Sequence, residues 1–240
     1  MKIRIKFKKS GVMKFIGHLD MMRYFQKAMR RACIDIAYSE GYSPHQIMSF
    51  AAPLGVGITS EGEYLDIEIH DSITSQAAVE ALNATMVDGV EVVSFRELPE
   101  HAKTAMSIVA AADYKVFYKQ AAEVLLPYEE LQVKLHAFYD EAETILVTKK
   151  TKKSEKEMDL KQLVYDFQVR EEAGEPYYYM MLSTGSVDNV KPELLLEAFY
   201  RFLGMEFDSM KLQIHRMDVY ARAEDASLIT LEDMGADILE

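Results

Sequence analysis

From Lys2 to Lys8 the chain alternates strictly, with Ile3, Ile5 and Phe7 on one side and Lys2, Arg4, Lys6 and Lys8 on the other. A period of two over this length predicts a strand with one face buried. After Ser10 and Gly11 the period changes. Leu19, Met22, Phe25, Met29, Ala32 and Cys33 recur at helical spacing over 19–33, and Arg23, Lys27, Arg30 and Arg31 fall on the opposite side, which predicts an amphipathic helix with a cationic outer face. Short strands are expected at 34–38 and 46–51 around the turn Ser39 to Pro44, and at 62–69, where Leu65, Ile67 and Ile69 alternate with Tyr64, Asp66 and Glu68. A helix over 75–87, a stop at Gly89 and a strand over 90–95 complete the order β-α-β-β-α-β.

The second half repeats that order. Residues 112–119 read as a strand, Pro127 opens a helix carrying Leu131, Leu135 and Phe138 on one face, and 145–150 with 156–169 read as a hairpin. Residues 177–182 extend that sheet, with Tyr177, Tyr178 and Tyr179 read as core strand. Residues 191–203 form a helix stopped by Gly204, and 210–220 a last strand. The expected class is therefore α+β, with two tandem ferredoxin-like (βαββαβ) domains built on antiparallel sheets. The expected boundaries are 1–100 for the first domain, 101–222 for the second and 223–240 for an acidic tail, which either folds back on the basic helix or is disordered.

Charge changes this picture more than composition does. The 240 residues are 49% apolar, enough for a core, and carry a net charge of −12. Residues 1–35, however, hold ten Lys/Arg against two acids, net +8, which leaves −20 for the rest. The single cysteine, Cys33, excludes an internal disulfide and a Cys-based metal site, and indicates a reducing compartment. With no apolar leader at the N-terminus and no run of about 18 uncharged apolar residues, the expectation is a cytoplasmic protein without membrane contact, metal or cofactor.

Each candidate group has a plain structural alternative. Lys2, Arg4, Lys6 and Lys8 form an RNA-facing strand or pair across the sheet with Asp66 and Glu68. Arg23, Lys27, Arg30 and Arg31 form a phosphate-binding stripe or an ordinary solvated face. Lys14 and His18 lie at the start of the same helix, where free N–H groups favour an anion, or His18 packs the helix start. His18, His45 and Tyr42 are the candidates for proton transfer, against a turn that Gly41 and Pro44 already explain. Lys150 and Lys152 sit in a basic run that reads as a hairpin tip. Gly55, Gly57 and Gly62 lack a following Gly-Lys-Ser/Thr, so they shape a turn or bulge and no phosphate loop is present.

Several motifs carry a resemblance: Gly17-His18-Leu19-Asp20, Arg30-Arg31, Ala37-Tyr38-Ser39-Glu40-Gly41-Tyr42-Ser43-Pro44-His45, Pro53-Leu54-Gly55-Val56 and Ser60-Glu61-Gly62-Glu63-Tyr64-Leu65-Asp66-Ile67. Together they resemble the radical-SAM-associated family of uncharacterised bacterial proteins, fused to or encoded beside a radical-SAM enzyme; Gln46 departs from the proline frequent there. The resemblance implies a radical-SAM partner enzyme and, through neighbouring ribosomal-protein and ribonuclease genes, a role near RNA. Without a Cys-x3-Cys-x2-Cys motif this chain does not itself hold the cluster. In architecture alone it also resembles the CRISPR repeat-processing endoribonucleases, although their glycine-rich loop lies in the second domain and the glycines here lie in the first.

Three functions stay open: a non-catalytic RNA-binding accessory subunit of the radical-SAM enzyme, a protein-binding adaptor for that enzyme without RNA contact, and a metal-independent endoribonuclease.

Overall fold

The structure is a computed structural model that describes residues 1–71, 73–120, 126–150, 155–185 and 188–239, with the side chains of 149, 150, 155 and 156 outside the description. It is mixed α+β with largely antiparallel sheets, and the chain divides into two units, Met1–Ala110 with Arg216–Glu240, and Ala111–His215.

The first unit is built from β1 (Lys2–Lys9), α1 (His18–Arg31), β2 (Met48–Phe50), β3 (Thr59–Glu68), α2 (Ser75–Asn83), β4 (Val90–Glu97) and the short α3 (Ala105–Ile108). β1 lies between β3 and β4 and runs antiparallel to both, with Lys2 opposite Glu68 and Ile5 opposite both Leu65 and Phe95. β2 pairs antiparallel with β3. The alternation read from the sequence is realised: Ile3, Ile5 and Phe7 are buried with Met21, Phe25 and Met29 of α1 and with Leu65, Ile67 and Phe95 of the sheet. The Phe7 and Phe25 rings meet at 4.7 Å. Burial of an aromatic of this size contributes about 1.5–3 kcal/mol, so Phe25, with Met21, Ala28 and Met29, fixes the α1 face.

α1 ends earlier than its apolar period suggests. Cys33 adopts a φ of 53°, and Ile34 N–H donates to the Met29 carbonyl at 3.1 Å, closing the helix end in a left-handed turn. The expected strand at 34–38 reduces to single bridges, Ile36 with Ile69 and Tyr38 with Gln46. Gly62 lies within β3 at the bulge expected, where Phe7 faces Glu63 but Lys9 faces Ser60, and a Cβ there would stand 2.6 Å from the Met217 carbonyl oxygen and 2.7 Å from the Asp218 Cα. Glycine is needed there because a neighbouring backbone occupies the side-chain position.

That neighbour belongs to β10 (Leu212–Arg222), whose last seven residues lie in the first unit beside β3. After it come β11 (Leu228–Thr230), which pairs with β10, and β12 (Ala236–Asp237), which pairs with β4. Residues 223–239, expected as part of a tail apart from the domains, thus belong to the first unit, strand-paired at 228–230 and 236–237, and Ile238 joins its core at 8% exposure. What the acidic composition concealed is that Glu232 and Asp237 meet cations on the sheet.

The second unit contains β5 (Val109–Tyr118) from Ala111 onward, α4 (Tyr128–Tyr139), β6 (Leu146–Lys150), β7 (Glu155–Asp159), β8 (Val164–Glu172), β9 (Glu175–Ser183), α5 (Pro192–Phe202) and the first residues of β10. Its strand order is β10-β5-β9-β8, with β5–β9 and β9–β8 antiparallel, and β6–β7 forms a separate ribbon. Leu131, Leu135 and Phe138 are buried as their spacing requires, and Phe138 and Phe167 pack on Phe199 at 5.3 and 5.9 Å. Tyr118, Tyr178 and Tyr200 form a buried hydroxyl chain at 3.2 and 2.7 Å.

Candidate nucleic-acid interface

The cations of β1 are consumed inside the first unit. Arg4 is 2% exposed and grips Asp66 with two hydrogen bonds, Nε to Oδ1 at 2.8 Å and Nη2 to Oδ2 at 3.0 Å, while its Nη1 donates to the Leu231 carbonyl at 3.2 Å. Such a bidentate pair fixes geometry as well as charge. Lys6 donates to Asp218 at 2.8 Å and Glu232 at 2.9 Å. Burial works against its charge, but these two acceptors outweigh it and hold the Lys6 ammonium above the usual lysine range. Lys8 reaches Glu91 at 3.4 Å. Lys2 stands opposite Glu68 in the ladder yet donates to the Ala102 carbonyl at 3.3 Å. The cross-sheet pairing expected with Asp66 and Glu68 therefore holds for Arg4 alone, and Lys6 and Lys8 take acids far along the chain.

A buried ionic cluster that the sequence reading did not single out lies on the core side of the same sheet. Arg216 and Glu63 are 3% and 4% exposed and form a bidentate pair, with Nε to Oε1 at 2.9 Å and Nη2 to Oε2 at 2.5 Å, and Arg216 also donates to the Ala52 carbonyl at 2.6 Å. Lys9, 3% exposed, donates to the Ile16 carbonyl at 2.7 Å. Burial pushes its ammonium below the usual range; Glu63 pulls it up and Arg216 adds to the depression. The signal available in sequence was Lys9 itself, a lysine at the next core-facing position after Ile3, Ile5 and Phe7.

The α1 stripe is different. Arg23, Lys27, Arg30 and Arg31 are all exposed, and over two turns, about 12 Å of axis, Asp20 is the sole acid that pairs with them among the described residues, at 3.1 Å from Arg23 with both side chains about two-thirds exposed. Arg30 and Arg31 donate to backbone carbonyls of Gln26 and Thr85, each at 3.3 Å, and their place in the last turn complements the helix dipole. Neither Arg23 nor Lys27 gains from that dipole. An exposed pair of the Asp20 kind is worth little, so the stripe keeps a net positive charge.

The proton-transfer candidates are not brought together. The His18 ring packs edge-on against Phe50 at 5.1 Å, beside a void of about 20 Å³ that Lys9 and Glu63 also line, room for about one water. His45 Nδ1 lies 2.8 Å from the Ser39 hydroxyl, which also accepts from the His45 N–H at 3.1 Å, so His45 closes its own turn. Tyr42 is fully exposed. His45 borders a different cavity of about 210 Å³, with walls from Ile47, Met48, Ile67 and Leu98 and a rim including Lys2, Glu68 and Lys103. Lys14 is half-buried with its ammonium 5.3 Å from the Phe15 ring. Lys152 and the side chain of Lys150 lie outside the described residues. Among the described residues no cluster of His, Cys, Asp and Glu is placed to hold a metal ion, and no helix is long and apolar enough to cross a membrane.

Several tyrosines make stability depend on alkaline pH. Burial pushes Tyr64, Tyr178 and Tyr200 far up, and pushes Tyr139 and Tyr179 up to about 12. A raised value means that the folded chain keeps protons the unfolded chain loses above about pH 10, so this stability is fully present below that pH and falls as pH rises. Lys9 runs the other way, adding stability as pH approaches 10.5 from below. The urea midpoint is expected to drop between pH 10 and about 12, with tyrosinate absorbance appearing cooperatively as the protein unfolds. Gradual ionisation at a constant midpoint would contradict it.

A family model described as "Uncharacterized protein conserved in bacteria (DUF2344)" matches residues 2–192. The chain belongs to this family. No curated protein matches it. A chain of the "Crystal Structure of a Cbf5-Nop10-Gar1 Complex" is similar in fold at 12% identity and a TM-score of 0.50, over 96% of the DUF2344 chain and 53% of its own length. The DUF2344 chain thus spans about half of that protein, and the likeness concerns the α+β fold alone.

Proposed function

We propose that this chain is a non-catalytic cytoplasmic subunit that binds RNA through the outer face of α1 and works with a radical-SAM partner enzyme in RNA modification or processing. The observation that carries the RNA contact is a contrast between two sets of cations. Arg4, Lys6 and Lys8 of β1 each hold a carboxylate, whereas Lys27, Arg30 and Arg31 of α1 hold none among the described residues. Four like charges on one helix face repel, and a polyanion relieves that repulsion. The strand orders β4-β1-β3-β2 and β10-β5-β9-β8, each with two helices between the paired strands, support the reading of two ferredoxin-like halves. The partner enzyme rests on the motif resemblance.

Binding of labelled single-stranded RNA across a salt series tests the contact. If all four α1 cations meet phosphates, the log–log slope is about −3, at about −0.7 per contact. Changing Arg23, Lys27, Arg30 and Arg31 together to Glu is expected to abolish that component. Unchanged binding and slope would remove α1 as the contact surface, and co-purification with the partner enzyme that survives nuclease treatment would favour the adaptor role.

A further inference from the structure

The sheet of the second unit has two unlike faces. Val116, Tyr118, Tyr178, Met180 and Leu182 point to its core and are buried. On the opposite face an antiparallel sheet normally presents polar residues, but here the two central strands carry aromatic rings. Phe117 of β5 stands directly opposite Tyr177 of β9, and Lys115 directly opposite Tyr179. Arg170 of β8 stands opposite Tyr177 on the other side. Phe117 and Tyr177 are both partly exposed.

Cations cover these rings. The Lys115 ammonium lies 4.5 Å from the Tyr177 centroid and 5.9 Å from that of Phe117, and the Arg170 guanidinium lies 3.6 Å over the Tyr179 ring. Arg170 keeps 40% of its side chain exposed, and its Nε donates to the Gln168 side-chain oxygen at 3.0 Å. Glu172 pairs with Lys115, Asp166 approaches Arg170 at 3.9 Å, and Asp113 accepts from the Tyr179 hydroxyl at 3.3 Å. With acids already beside both cations, this face offers little net charge. What it offers is flat surface: ring edges and faces on adjacent strands about 4.8 Å apart, and a guanidinium plane stacked on a third ring.

The geometry points to a base-stacking platform for single-stranded RNA on this face, with bases on Phe117, Tyr177 and the Arg170 plane. It deepens the RNA-binding reading above and rests on it. Unpaired bases stack on aromatic rings and Arg planes, and every base has a π-face, so the surface takes single strands without regard to sequence. Duplex RNA hides its base faces and gains nothing here. Stacking releases no counterions, so the platform adds affinity without steepening the salt dependence set by α1.

The test uses the full chain with a labelled oligoadenylate and an RNA duplex of equal length. Leucine keeps the apolar contacts at either position, so Phe117→Leu and Tyr177→Leu are the variants, checked for unchanged melting. Each is expected to weaken oligoadenylate binding roughly tenfold, leaving the salt slope and duplex binding unaltered. Oligoadenylate binding that both variants leave unchanged would overturn the platform while α1 stands. Equal losses on single strand and duplex would also overturn it. Wild-type protein binding neither RNA would sink both readings. If a variant does not fold, ultraviolet crosslinks from wild-type protein decide: they are expected within 170–179 as well as on α1, and crosslinks confined to α1 count against the platform.

Discussion

Glu63→Ala is expected to cost the first unit about 3–5 kcal/mol, the usual penalty for removing one member of a buried ion pair. Arg216 would keep its bond to the Ala52 carbonyl but lose the Glu63 carboxylate, and Lys9 would lose the carboxylate that offsets its burial. Two buried cations would then lose the carboxylate they share, and each would still depress the other's charge. The pair itself need not be favourable: replacing Glu63 and Arg216 together by well-packed apolar residues is expected to be near neutral. Urea unfolding of both single variants and the double variant gives the coupling directly. A single-variant loss under about 1 kcal/mol would mean that water reaches the site.

Removing residues 224–240 is expected to be at least as damaging. Ile238 contributes about 1.5–3 kcal/mol by burial, and its N–H donates to the buried Ser75 hydroxyl at 2.9 Å. Lys6 would keep Asp218 but lose Glu232, Arg4 would lose the Leu231 carbonyl, and β4 would lose its outer strand pairing. Hydrogen exchange should show β1 and β4 losing protection, while α4 and β8 in the second unit keep theirs. If the segment were a detachable acidic tail lying over α1, truncation would leave exchange unchanged and raise RNA affinity. One outcome lowers stability and the other leaves it unchanged, so they are easily told apart.

The sequence makes the elements legible wherever a single period governs, as in β1 and α1, because burial of one face dictates the spacing. It does not reveal partners that are distant along the chain. Lys6 pairs with acids 212 and 226 positions away, and nothing near Lys6 marks them. The role of 223–240 was hidden for a related reason: Ile229, Leu231 and Ile238 are too sparse to form a pattern, so its acids dominated the reading. Gly62 was readable as a bulge residue, but not the backbone of β10 that fills its side-chain space. The three consecutive tyrosines held a readable clue, since neighbours on a strand point to opposite faces. Tyr178 is in the core, and Tyr177 therefore had to leave it. Of the candidate site, the α1 stripe was visible as a charge pattern, while the Glu63 and Arg216 partners of Lys9 lie far away along the chain, where no local pattern points to them.

Arg216 through Ile238 completes a unit that begins at the N-terminus, and this sets the order in which a growing chain can mature. On the ribosome the second unit is contiguous and has all its residues first, while β1 waits for acids translated near the end. Domains generally fold as units, the N-terminal one first during synthesis; here the second unit is the first to be complete. Until residues 216–238 emerge, Arg4 and Lys6 belong to an unfinished, cationic half, open to any polyanion nearby, including the ribosomal RNA beside it.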